Sequence, residues 1–419
     1  MIKYLFLLLT FLLNKNVSNA SSILIQMDNT QKNHLKAYGI TFWVLQNQVE
    51  AKWLLNYRGG SFLFQYASSI ENECNIRGVS YEVVPDVQVN SILTQIAQES
   101  ANMDVVKLEQ VPKIAVYSPK NKLPWDDAVT LVLKYAEIPY EVVYDDEVIQ
   151  GKLPLYDWLH MHHEDFTGQY GRFYAAYKSA SWYQEDVRLN ETTASRLGFK
   201  KVSELKLAVA KKIRDFTSGG GFLFAMCSGT DSYDIALAAE GIDICENMFD
   251  GDPADRDAQS KIDYSKTFAF EKFKLDMNPY NYEFSNIDAT TNRAVSKETD
   301  FFSLFEFSAK YDVVPTILTQ NHDRVIKGFM GQTTAFRKSV VKPAVLLLGE
   351  NKEINEAKYI HGSYGNGTWT FYGGHDPEDY QHMVGDPQTD LSLHPNSPGY
   401  RLILNNVLFP AAKKKKQKT

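Results

Sequence analysis

Short apolar runs alternate with longer amphipathic segments along most of the chain, and this alternation most constrains the fold. The clearest series runs KIAVYS (113–118), WDDAVTLVLKYAE (125–137), YEVVYD (140–145), LYDWLHMHHED (155–165), SELKLAVAKKIRDFTSGGG (203–221) and FLFAMCSGTDSYDIALAAEG (222–241). Strands that alternate with helices of this length form parallel βαβ units whose helices cover both faces of one sheet. The sequence therefore predicts an α/β protein with a doubly wound, mostly parallel sheet.

The same patterning predicts the domain boundaries. Residues 21–110 repeat the strand–helix order and are expected to form an N-terminal α/β region, and residues 111–412 are expected to form a larger α/β domain. Within the larger domain, residues 246–312 are rich in Asp, Asn, Lys and Phe with weak periodicity, which indicates an insertion. The lysine-rich end, residues 413–419, is expected to be a disordered basic tail.

Regular patterns return after the insertion and close the large domain. Three apolar runs and a final helix pattern follow one another as PAVLLLGE (343–350), EAKYIHGS (356–363), TWTFYGGH (368–375) and SPGYRLILNNVLFPAA (397–412). Asn366–Gly367, between the second and third runs, is a dipeptide typical of tight hairpin turns. We therefore expect a hairpin there and a terminal helix that packs on the sheet.

The first twenty residues have the features of a secretory signal peptide. Lys3 precedes a mostly apolar run from Tyr4 to Leu13, which is far shorter than the roughly 20 residues that span a bilayer. Ser18 and Ala20 occupy the small-residue positions that a signal peptidase reads. We expect cleavage after Ala20 and a periplasmic or secreted mature chain without a transmembrane helix; an uncleaved anchor is the alternative.

Net charge and cysteine count argue against two classes of protein. The formal net charge is −7, which disfavours a nucleic-acid-binding protein. The three cysteines are Cys74, Cys227 and Cys245, too few for a disulfide scaffold and able to form at most one bridge within the chain. At least one thiol is therefore expected to stay free.

One predicted strand–turn–helix segment, GFLFAMCSGTDSYDIALAAEG (221–241), carries the densest chemical signal. Apolar residues run into Cys227, then Ser228–Gly229, and then a helical pattern. Nucleophiles and phosphate-binding loops are found at such turns, because the N–H groups of a helix N-terminus stabilise negative charge. Three interpretations follow: a cysteine nucleophile, a nucleotide loop, or an ordinary turn.

The nucleotide interpretation depends on SGTDS (228–232), which resembles the pyrophosphatase loop of asparagine synthetases, S-G-G-x-D-S. The loop here is one residue shorter and lacks the second glycine, which would let the backbone approach pyrophosphate closely. Most of the chain also resembles a family of exported bacterial proteins labelled asparagine synthetase B. That label implies ATP-dependent amide synthesis, but ATP is scarce outside the cytoplasm and is not expected as the cofactor.

The cysteine interpretation depends on two segments. AMCSG (225–229) resembles the nucleophile elbow of the class I glutamine amidotransferase-like superfamily. GTWTFYGGHDPED (367–379) resembles the end of these amidotransferases and of the related ThuA-like domains. The resemblance covers about residues 111–412 without the insertion, and it implies a flavodoxin-like sheet.

The resemblance also implies a catalytic triad. Cys227 would attack an amide or ester carbon, His375 would accept and return the proton, and Glu378 or Asp376 would hold the tautomer of the histidine. Glu378 follows the histidine by three positions, whereas the glutamate of those amidotransferases follows by two. The oxyanion would be bound by backbone N–H groups, for which the candidates are Ser228, Gly229, Gly168 and Gly171.

A second polar cluster, HMHHED (160–165), lies at the end of a predicted strand. Alternation along a strand puts His160 and His162 on one face and His163 on the other. Imidazoles and carboxylates bind Zn²⁺ and other divalent ions, so the candidate metal ligands are His160, His162, Glu164 and Asp165, with His375 or Asp376 as a distant ligand. Hydrogen bonding to neighbouring loops is the alternative. Because ligands bind at the carboxyl ends of parallel strands, this cluster and the cysteine turn are expected to share one crevice.

Three functional hypotheses remain open. The first is an exported hydrolase or amidotransferase-like enzyme that uses Cys227, the second is a ligand-binding or assembly module without catalysis, and the third is ATP-dependent amide synthesis. A small-molecule or glycan substrate fits the first two, and the tryptophans that are candidates for lining a sugar site are Trp43, Trp53, Trp158 and Trp182. The sequence predicts neither the substrate, nor a resident cofactor, nor the oligomeric state.

Overall fold

The computed structural model describes residues 21–119 and 127–412, which form two β-sheets flanked by helices. The expected signal peptide, residues 1–20, and the expected basic tail, residues 413–419, lie outside the described residues. Within the described ranges, no helix combines the length and the apolar character needed to cross a membrane. The predicted α/β class is confirmed.

The strands are β1 (Ser21–Ile25), β2 (Ala51–Leu55), β3 (Ser61–Gln65), β4 (Glu82–Pro85), β5 (Asp104–Leu108), β6 (Ile114–Tyr117), β7 (Glu141–Val143), β8 (Trp158–Met161), β9 (Phe222–Met226), β10 (Phe301–Leu304), β11 (Val325–Lys327), β12 (Phe336–Arg337), β13 (Leu346–Asn351), β14 (Glu356–Tyr364) and β15 (Gly367–Tyr372). The helices are α1 (His34–Gln46), α2 (Ser68–Arg77), α3 (Asp86–Ala97), α4 (Ala128–Tyr135), α5 (Asp145–Ile149), α6 (Tyr174–Tyr177), α7 (Ser181–Arg196), α8 (Val202–Ser218), α9 (Ser228–Ala238), α10 (Asn247–Asp250), α11 (Ala258–Lys261), α12 (Val313–Leu318) and α13 (Pro398–Leu408).

The smaller sheet is built from the N-terminal strands in the order β4-β1-β3-β2-β5. Every neighbouring pair in it is antiparallel. The strand–helix alternation of this region therefore does not correspond to parallel βαβ units. Periodicity identifies strands and helices but not the direction in which strands pair, which depends on long-range contacts.

The larger sheet has the order β11-β10-β13-β14-β15-β9-β8-β6-β7, with β12 paired to β14. The five strands from β15 to β7 in this order form four parallel pairs with one another. The other half of the sheet, from β14 to β11, is antiparallel. The sheet is therefore mixed, and the predicted parallel arrangement describes only the half that contains β8 and β9.

The segment predicted as an insertion, residues 246–312, packs closely into the fold. Its strand β10 lies inside the large sheet, between β11 and β13. The Asp234 carboxylate of α9 accepts hydrogen bonds from the backbone N–H groups of Phe268, Ala269 and Phe270 at 2.7, 2.7 and 3.0 Å. The weak periodicity of this segment therefore indicates irregular structure that still packs into the fold.

The hairpin between β14 and β15 turns one residue earlier than the sequence predicts. Tyr364 pairs with Gly367, which makes Gly365–Asn366 the two turn residues instead of Asn366–Gly367. Gly365 has φ +60°, a conformation that glycine adopts without steric cost. A Cβ atom on Gly367 would lie 2.1 Å from the Thr217 carbonyl oxygen, so this glycine serves close packing.

The parallel half of the large sheet is buried on both faces. Along β9, Phe224 and Met226 belong to a core that includes residues of α1, α4 and α13. Leu223 and Ala225 belong to a second core that includes residues of α8 and α9. This two-sided burial is typical of parallel sheets, and in such sheets ligands bind beyond the carboxyl ends of the strands.

Candidate functional site

Three neighbouring parallel strands carry the candidate site at their carboxyl ends. β9 pairs in parallel with β8 on one side and with β15 on the other, so the segments that follow all three leave the sheet at one edge. His162 follows β8 directly, Cys227 follows β9 directly, and His375 comes three residues after β15. The topology therefore brings the cysteine turn and the histidine segment to the same edge.

Cys227 lies between β9 and α9 with φ 49° and ψ −141°. Positive φ is uncommon for a residue with a Cβ atom, and such backbone strain concentrates at functional sites. Burial raises the pKa of the thiol to about 12, although backbone N–H groups of Ser228 and Gln332 that bond to the sulfur act in the opposite direction. The thiol is therefore neutral in the resting protein.

The loop that resembles a pyrophosphate site is buried and bonded to the protein itself. The Thr230 hydroxyl donates to the Cys227 carbonyl oxygen at 2.7 Å, and the Ser232 hydroxyl donates to the Ser228 carbonyl oxygen at 2.6 Å. The Gly229 N–H donates to the carbonyl oxygen of His162 at 2.6 Å. The groups that would bind a pyrophosphate are therefore already engaged.

Two buried carboxyl groups lie near the thiol. Burial, together with the nearby Asp288 carboxylate, raises the pKa of Asp231 well above its usual range. Burial also raises the pKa of Asp288 to about 7. Asp288 comes from the irregular segment 246–312, and no motif in the sequence marks it. The surroundings of Cys227 thus favour neutral groups.

Asp127 connects the N-terminus of α4 to two histidines of the cluster. Its carboxylate caps the helix by accepting from the N–H groups of Val129 and Thr130 at 2.8 and 3.0 Å. Its two oxygens also lie 3.4 Å from His160 Nε2 and 3.5 Å from His162 Nδ1. Burial alone would raise the pKa of Asp127, but these two histidines hold it well below its usual range. Its position before an apolar helix predicts a cap, but not these contacts.

His162, His163 and His375 form a second group, in which one nitrogen of each ring lies within 4.8 Å of the others. The closest pair is His162 Nε2 and His375 Nδ1, at 3.1 Å. The prediction that His163 points away from His162 is wrong, because β8 ends at Met161 and strand alternation stops there. Burial lowers the pKa of all three imidazoles, that of His163 to about 3, so the rings are neutral.

His160 takes a different position from the group of three. Its Nδ1 lies 3.1 Å from the carbonyl oxygen of Phe224 in β9, and its Nε2 faces Asp127. Both ring nitrogens of His160 therefore face oxygen atoms of the protein. His160 therefore lies next to Asp127 and is not part of the group formed by His162, His163 and His375.

The two predicted acidic ligands have structural roles. The Asp165 carboxylate accepts from the N–H groups of Thr167, Gln169 and Gly171 at 2.7, 2.8 and 3.0 Å, which closes the loop after β8. Glu164 accepts from the backbone N–H of His162 at 3.0 Å. Burial, with the nearby Asp127 carboxylate, raises the Glu164 pKa to about 8.

Two of the four expected oxyanion donors are also wrong, because their N–H groups already bond within the protein. The Gly171 N–H is used by Asp165, and the Gly229 N–H is used by His162. Gly168 has φ +84° and, like Gly171, lines the cavity in front of the histidines. Ser228 stays a candidate, and its backbone N–H acts to lower the pKa of the Cys227 thiol. The second N–H at the sulfur comes from Gln332, which the sequence did not indicate.

The acidic partners expected for His375 lie elsewhere. The Glu378 carboxylate is 3.0 Å from His394 Nδ1. Asp376 is buried, and its carboxylate accepts from the backbone N–H of Glu378 at 2.9 Å. After burial, the nearby Asp376 charge is a further cause that raises the pKa of the Tyr400 hydroxyl. The ring of His375 instead stacks on His382, with centroids 4.8 Å apart and planes 20° apart. The structure therefore surrounds His375 with imidazoles and assigns Glu378 to another histidine.

A cavity opens in front of the histidine segment. His163, Glu164 and Asp165 form one wall, and aromatic side chains of Tyr144, Tyr170, Phe173 and Trp182 form much of the rest. Of the tryptophans considered for a sugar site, Trp182 alone lines this cavity, whereas Trp53 and Trp158 are fully buried in the core. Aromatic walls with a few polar groups are typical of small-molecule sites.

Comparisons with known proteins do not identify a family. No protein-family model matches the chain, and no curated protein is similar to it. Two cytoplasmic proteins of Salmonella typhimurium align with 72 % of this chain and 100 % of their own, at 11 % and 12 % identity and TM-scores of 0.35 and 0.36. A catalytic mutant of a GH42 β-galactosidase from G. stearothermophilus aligns with 63 % of this chain and 27 % of its own, at 13 % identity and a TM-score of 0.27.

Proposed function

We propose that this protein is an exported hydrolase of the class I amidotransferase-like type, with Cys227 as its nucleophile. The observation that carries the proposal is the backbone of Cys227, with φ 49° and ψ −141° between a buried strand and a buried helix. A nucleophile elbow needs such a strained turn, because it exposes the side chain at the edge of the sheet and at a helix N-terminus. An ordinary strand–helix turn has no need of this conformation.

His375 is the proposed proton acceptor. Met226 and Tyr372 are partners in the parallel pair of β9 and β15. Cys227 comes one residue after Met226, and His375 comes three residues after Tyr372, so both leave the sheet at the same edge. Burial and the neighbouring His162 lower the pKa of His375 well below its usual range. The imidazole is therefore neutral, which is the form that accepts a proton.

The proposed oxyanion donors are the backbone N–H groups of Ser228 and Gln332. Both act to lower the pKa of the Cys227 thiol in the resting protein, against the larger effect of burial. When the sulfur bonds to a carbonyl carbon, the carbonyl oxygen lies next to that sulfur, where the same two N–H groups stabilise its charge. An N–H of the residue after the nucleophile is a regular component of such oxyanion holes.

The strand order supports the amidotransferase-like part of the proposal. The parallel strands follow the order β7-β6-β8-β9-β15, which is the flavodoxin-like order 2-1-3-4-5 when they are counted along the chain. The antiparallel strands β14, β13, β10 and β11 then extend the sheet beyond β15. The expected export is retained in the proposal on the basis of the sequence of residues 1–20.

The proposed reaction has two steps. The Cys227 sulfur attacks the carbonyl carbon of an amide or ester, its proton passes to His375, and the imidazole returns that proton to the departing amine or alcohol. Water then attacks the thioester, loses a proton to His375, and releases the acid and the thiol. Because the resting thiol is neutral, deprotonation has to accompany substrate binding.

Acylation by p-nitrophenyl acetate tests the proposal, because the ester is small and releases a coloured product. We expect a burst of p-nitrophenol and an acetyl group on Cys227 in peptide mass spectra. Cys227→Ala removes both, and His375→Ala slows the burst by about 10²–10⁴-fold, the usual contribution of general acid–base catalysis. Cys74→Ala serves as the matched control, since Cys74 is also a buried free thiol, and it keeps the burst. A burst that survives Cys227→Ala contradicts the proposal.

A non-catalytic binding module is the second candidate. The observation that favours it is the thiol pKa of about 12, which leaves Cys227 unactivated in the resting protein. In this alternative the aromatic cavity binds a small ligand, and the turn at Cys227 has a structural role without catalysis. Cys227→Ala would then leave the binding of that ligand unchanged, whereas Trp182→Ala would weaken it.

A further inference from the structure

We propose that His162, His163 and His375 bind one divalent transition-metal ion of the kind that Zn²⁺ represents. The ligand set differs from the one that the sequence indicates, because it excludes His160, Glu164 and Asp165. The proposal goes beyond the thiol chemistry and does not depend on it. His375 is the one residue that both share, and it serves one role at a time, because an imidazole bound to an ion has no lone pair left to accept the Cys227 proton.

The geometry of the three rings fits one ion. His162 Nε2 and His375 Nδ1 are 3.1 Å apart. Two nitrogens bound to one tetrahedral Zn²⁺ at about 2.0–2.1 Å are separated by about 3.3 Å. One nitrogen of each of the three rings lies within 4.8 Å of the other two. The ring planes of His162 make angles of 66° with His375 and 57° with His163, so His162 does not stack on either ring.

Asp127 orients His162 for this role. Its carboxylate lies 3.5 Å from His162 Nδ1, which favours the proton on that nitrogen and the lone pair on Nε2, the nitrogen that faces His375. A carboxylate behind a metal-bound imidazole is a common feature of metal sites, where it fixes the tautomer and raises ligand basicity. The other nearby group, Asp127 with His160 and His162, supplies this outer layer. His160 faces Asp127 through Nε2 at 3.4 Å, and its Nδ1 lies 3.1 Å from the Phe224 carbonyl oxygen.

The backbone holds two of the ligands in place. The N–H of His162 donates to Glu164 and its carbonyl accepts from Gly229, while the N–H of His375 donates to the carbonyl oxygen of Met330 at 2.8 Å. Fixed backbone positions reduce the loss of freedom when the rings bind an ion.

Access and chemistry also agree with a metal site. His163 is only partly buried and lines the aromatic cavity, which gives an ion a route from solvent. Neutral imidazole suits Zn²⁺, Ni²⁺, Cu²⁺ and Co²⁺, whereas Mg²⁺ and Ca²⁺ prefer oxygen. Three protein ligands leave a fourth position for water or a substrate atom, as in open zinc sites.

Metal titration of chelator-treated protein tests the proposal without turnover. We expect Co²⁺ to give the intense visible absorption of a tetrahedral site, saturating at an equimolar ratio, and Zn²⁺ to displace it. His163→Ala is the primary variant, because its side chain is the least buried of the three, and we expect its Co²⁺ affinity to fall at least 100-fold. Asp127→Asn should weaken binding about 10–100-fold through loss of the outer contact. Circular dichroism verifies that each variant is folded.

Two controls separate this site from others. His394→Ala removes a histidine that pairs with Glu378 and should leave the affinity unchanged. Asp386→Ala disrupts the neighbouring group of Asp379, His382 and Asp386, in which three ligand atoms also lie close together. Unsaturable Co²⁺ binding, or a His163→Ala affinity equal to that of the wild type, overturns the proposal. Binding that is lost in Asp386→Ala but kept in His163→Ala overturns it as well. A failure of Cys227 acylation has no bearing on these readouts.

Discussion

The N–H of Gly229 donates a hydrogen bond to the carbonyl oxygen of His162 at 2.6 Å, which ties the helix after the cysteine turn to the strand end that carries the histidines. A Cβ atom on Gly229 would lie 2.6 Å from that oxygen. Neither backbone can retreat easily, because α9 is buried along its length and β8 lies inside the sheet. The two halves of the candidate site therefore depend on a residue without a side chain at this position.

Gly229→Ala is expected to lower the free energy of unfolding by about 1–3 kcal/mol, the usual cost of forcing an added group into a packed interior. Urea denaturation measures the change. The matched control is Gly219→Ala, at the end of α8, where φ is −73° and the nearest atom to a new Cβ is 3.3 Å away. Equal effects of the two substitutions would show that the close contact at Gly229 is not rigid.

Cys227 is expected to carry backbone strain that glycine relieves. Residues held in sparsely populated conformations cost of order 1–3 kcal/mol, and glycine avoids most of this cost because it lacks a Cβ atom. Cys227→Gly should therefore be more stable than Cys227→Ala by about 1 kcal/mol in urea denaturation. The comparison isolates the backbone, because both variants lack the thiol. An alanine variant as stable as the glycine variant would contradict the strain, and with it the main support for the elbow.

Asp234 is expected to be a main anchor of the segment 246–312. Its carboxylate is the acceptor for three consecutive backbone N–H groups, those of Phe268, Ala269 and Phe270. Asp234→Ala leaves these buried donors without that acceptor and should lower the free energy of unfolding by about 3 kcal/mol or more. Thermal and urea denaturation measure the loss. Asp263→Ala is the control, since the half-exposed Asp263 carboxylate accepts only from the neighbouring Ser265 and lies 3.9 Å from Lys266; a similar loss in both variants would refute the anchor.

Local patterns predict much of the fold around the candidate site. The apolar run before Cys227 and the helical pattern after it correspond to β9 and α9, and the topology of alternating strands and helices predicts that β8 and β9 end at one edge. These features depend on residues near one another in the sequence. Pairing direction and membership in a sheet do not, which is why the antiparallel small sheet and the placement of β10 were not predicted.

The chemistry of the site follows sequence patterns less closely. Cys227 and His375 follow neighbouring strands, as the alternation of strands and helices predicts, but the contacts of their neighbours depend on tertiary packing. Asp127 has the sequence signature of a helix cap, and nothing local indicates that its carboxylate also reaches two histidines. Gln332 comes from a loop before β12, and its N–H reaches the Cys227 sulfur through folding alone. Two glycines predicted as oxyanion donors already donate elsewhere: the Gly171 N–H to Asp165 and the Gly229 N–H to the His162 carbonyl oxygen.

A second pair of histidines, outside the candidate site, is expected to make the protein sensitive to acid. The rings of His34 and His322 stack with centroids 4.0 Å apart. Burial, together with the positive charge of Arg401, lowers the pKa of His34 to about 3 and that of His322 to about 4. In the unfolded chain both return to about 6.5, so the unfolded state binds more protons at intermediate pH. The stability that these neutral histidines contribute is present above pH 6.5 and is lost as the pH falls from about 6.5 towards about 4.

His34→Gln is expected to reduce this sensitivity. Between pH 7 and pH 5 one histidine with so low a pKa in the folded state contributes a loss of about 2 kcal/mol, at about 1.4 kcal/mol for each pH unit below the unfolded pKa. The free energy of unfolding of the wild type should therefore fall by about 2 kcal/mol more than that of His34→Gln over this range, in urea denaturation at fixed salt. The control is His394→Gln, because the His394 side chain is 37 % exposed, whereas His34 is buried, and its replacement should leave the pH dependence nearly parallel to the wild type. The structure indicates that the charge of Arg401 opposes protonation of His34. If the pH dependence of His34→Gln is also parallel to that of the wild type, this is contradicted, and His34 takes up its proton in the folded state.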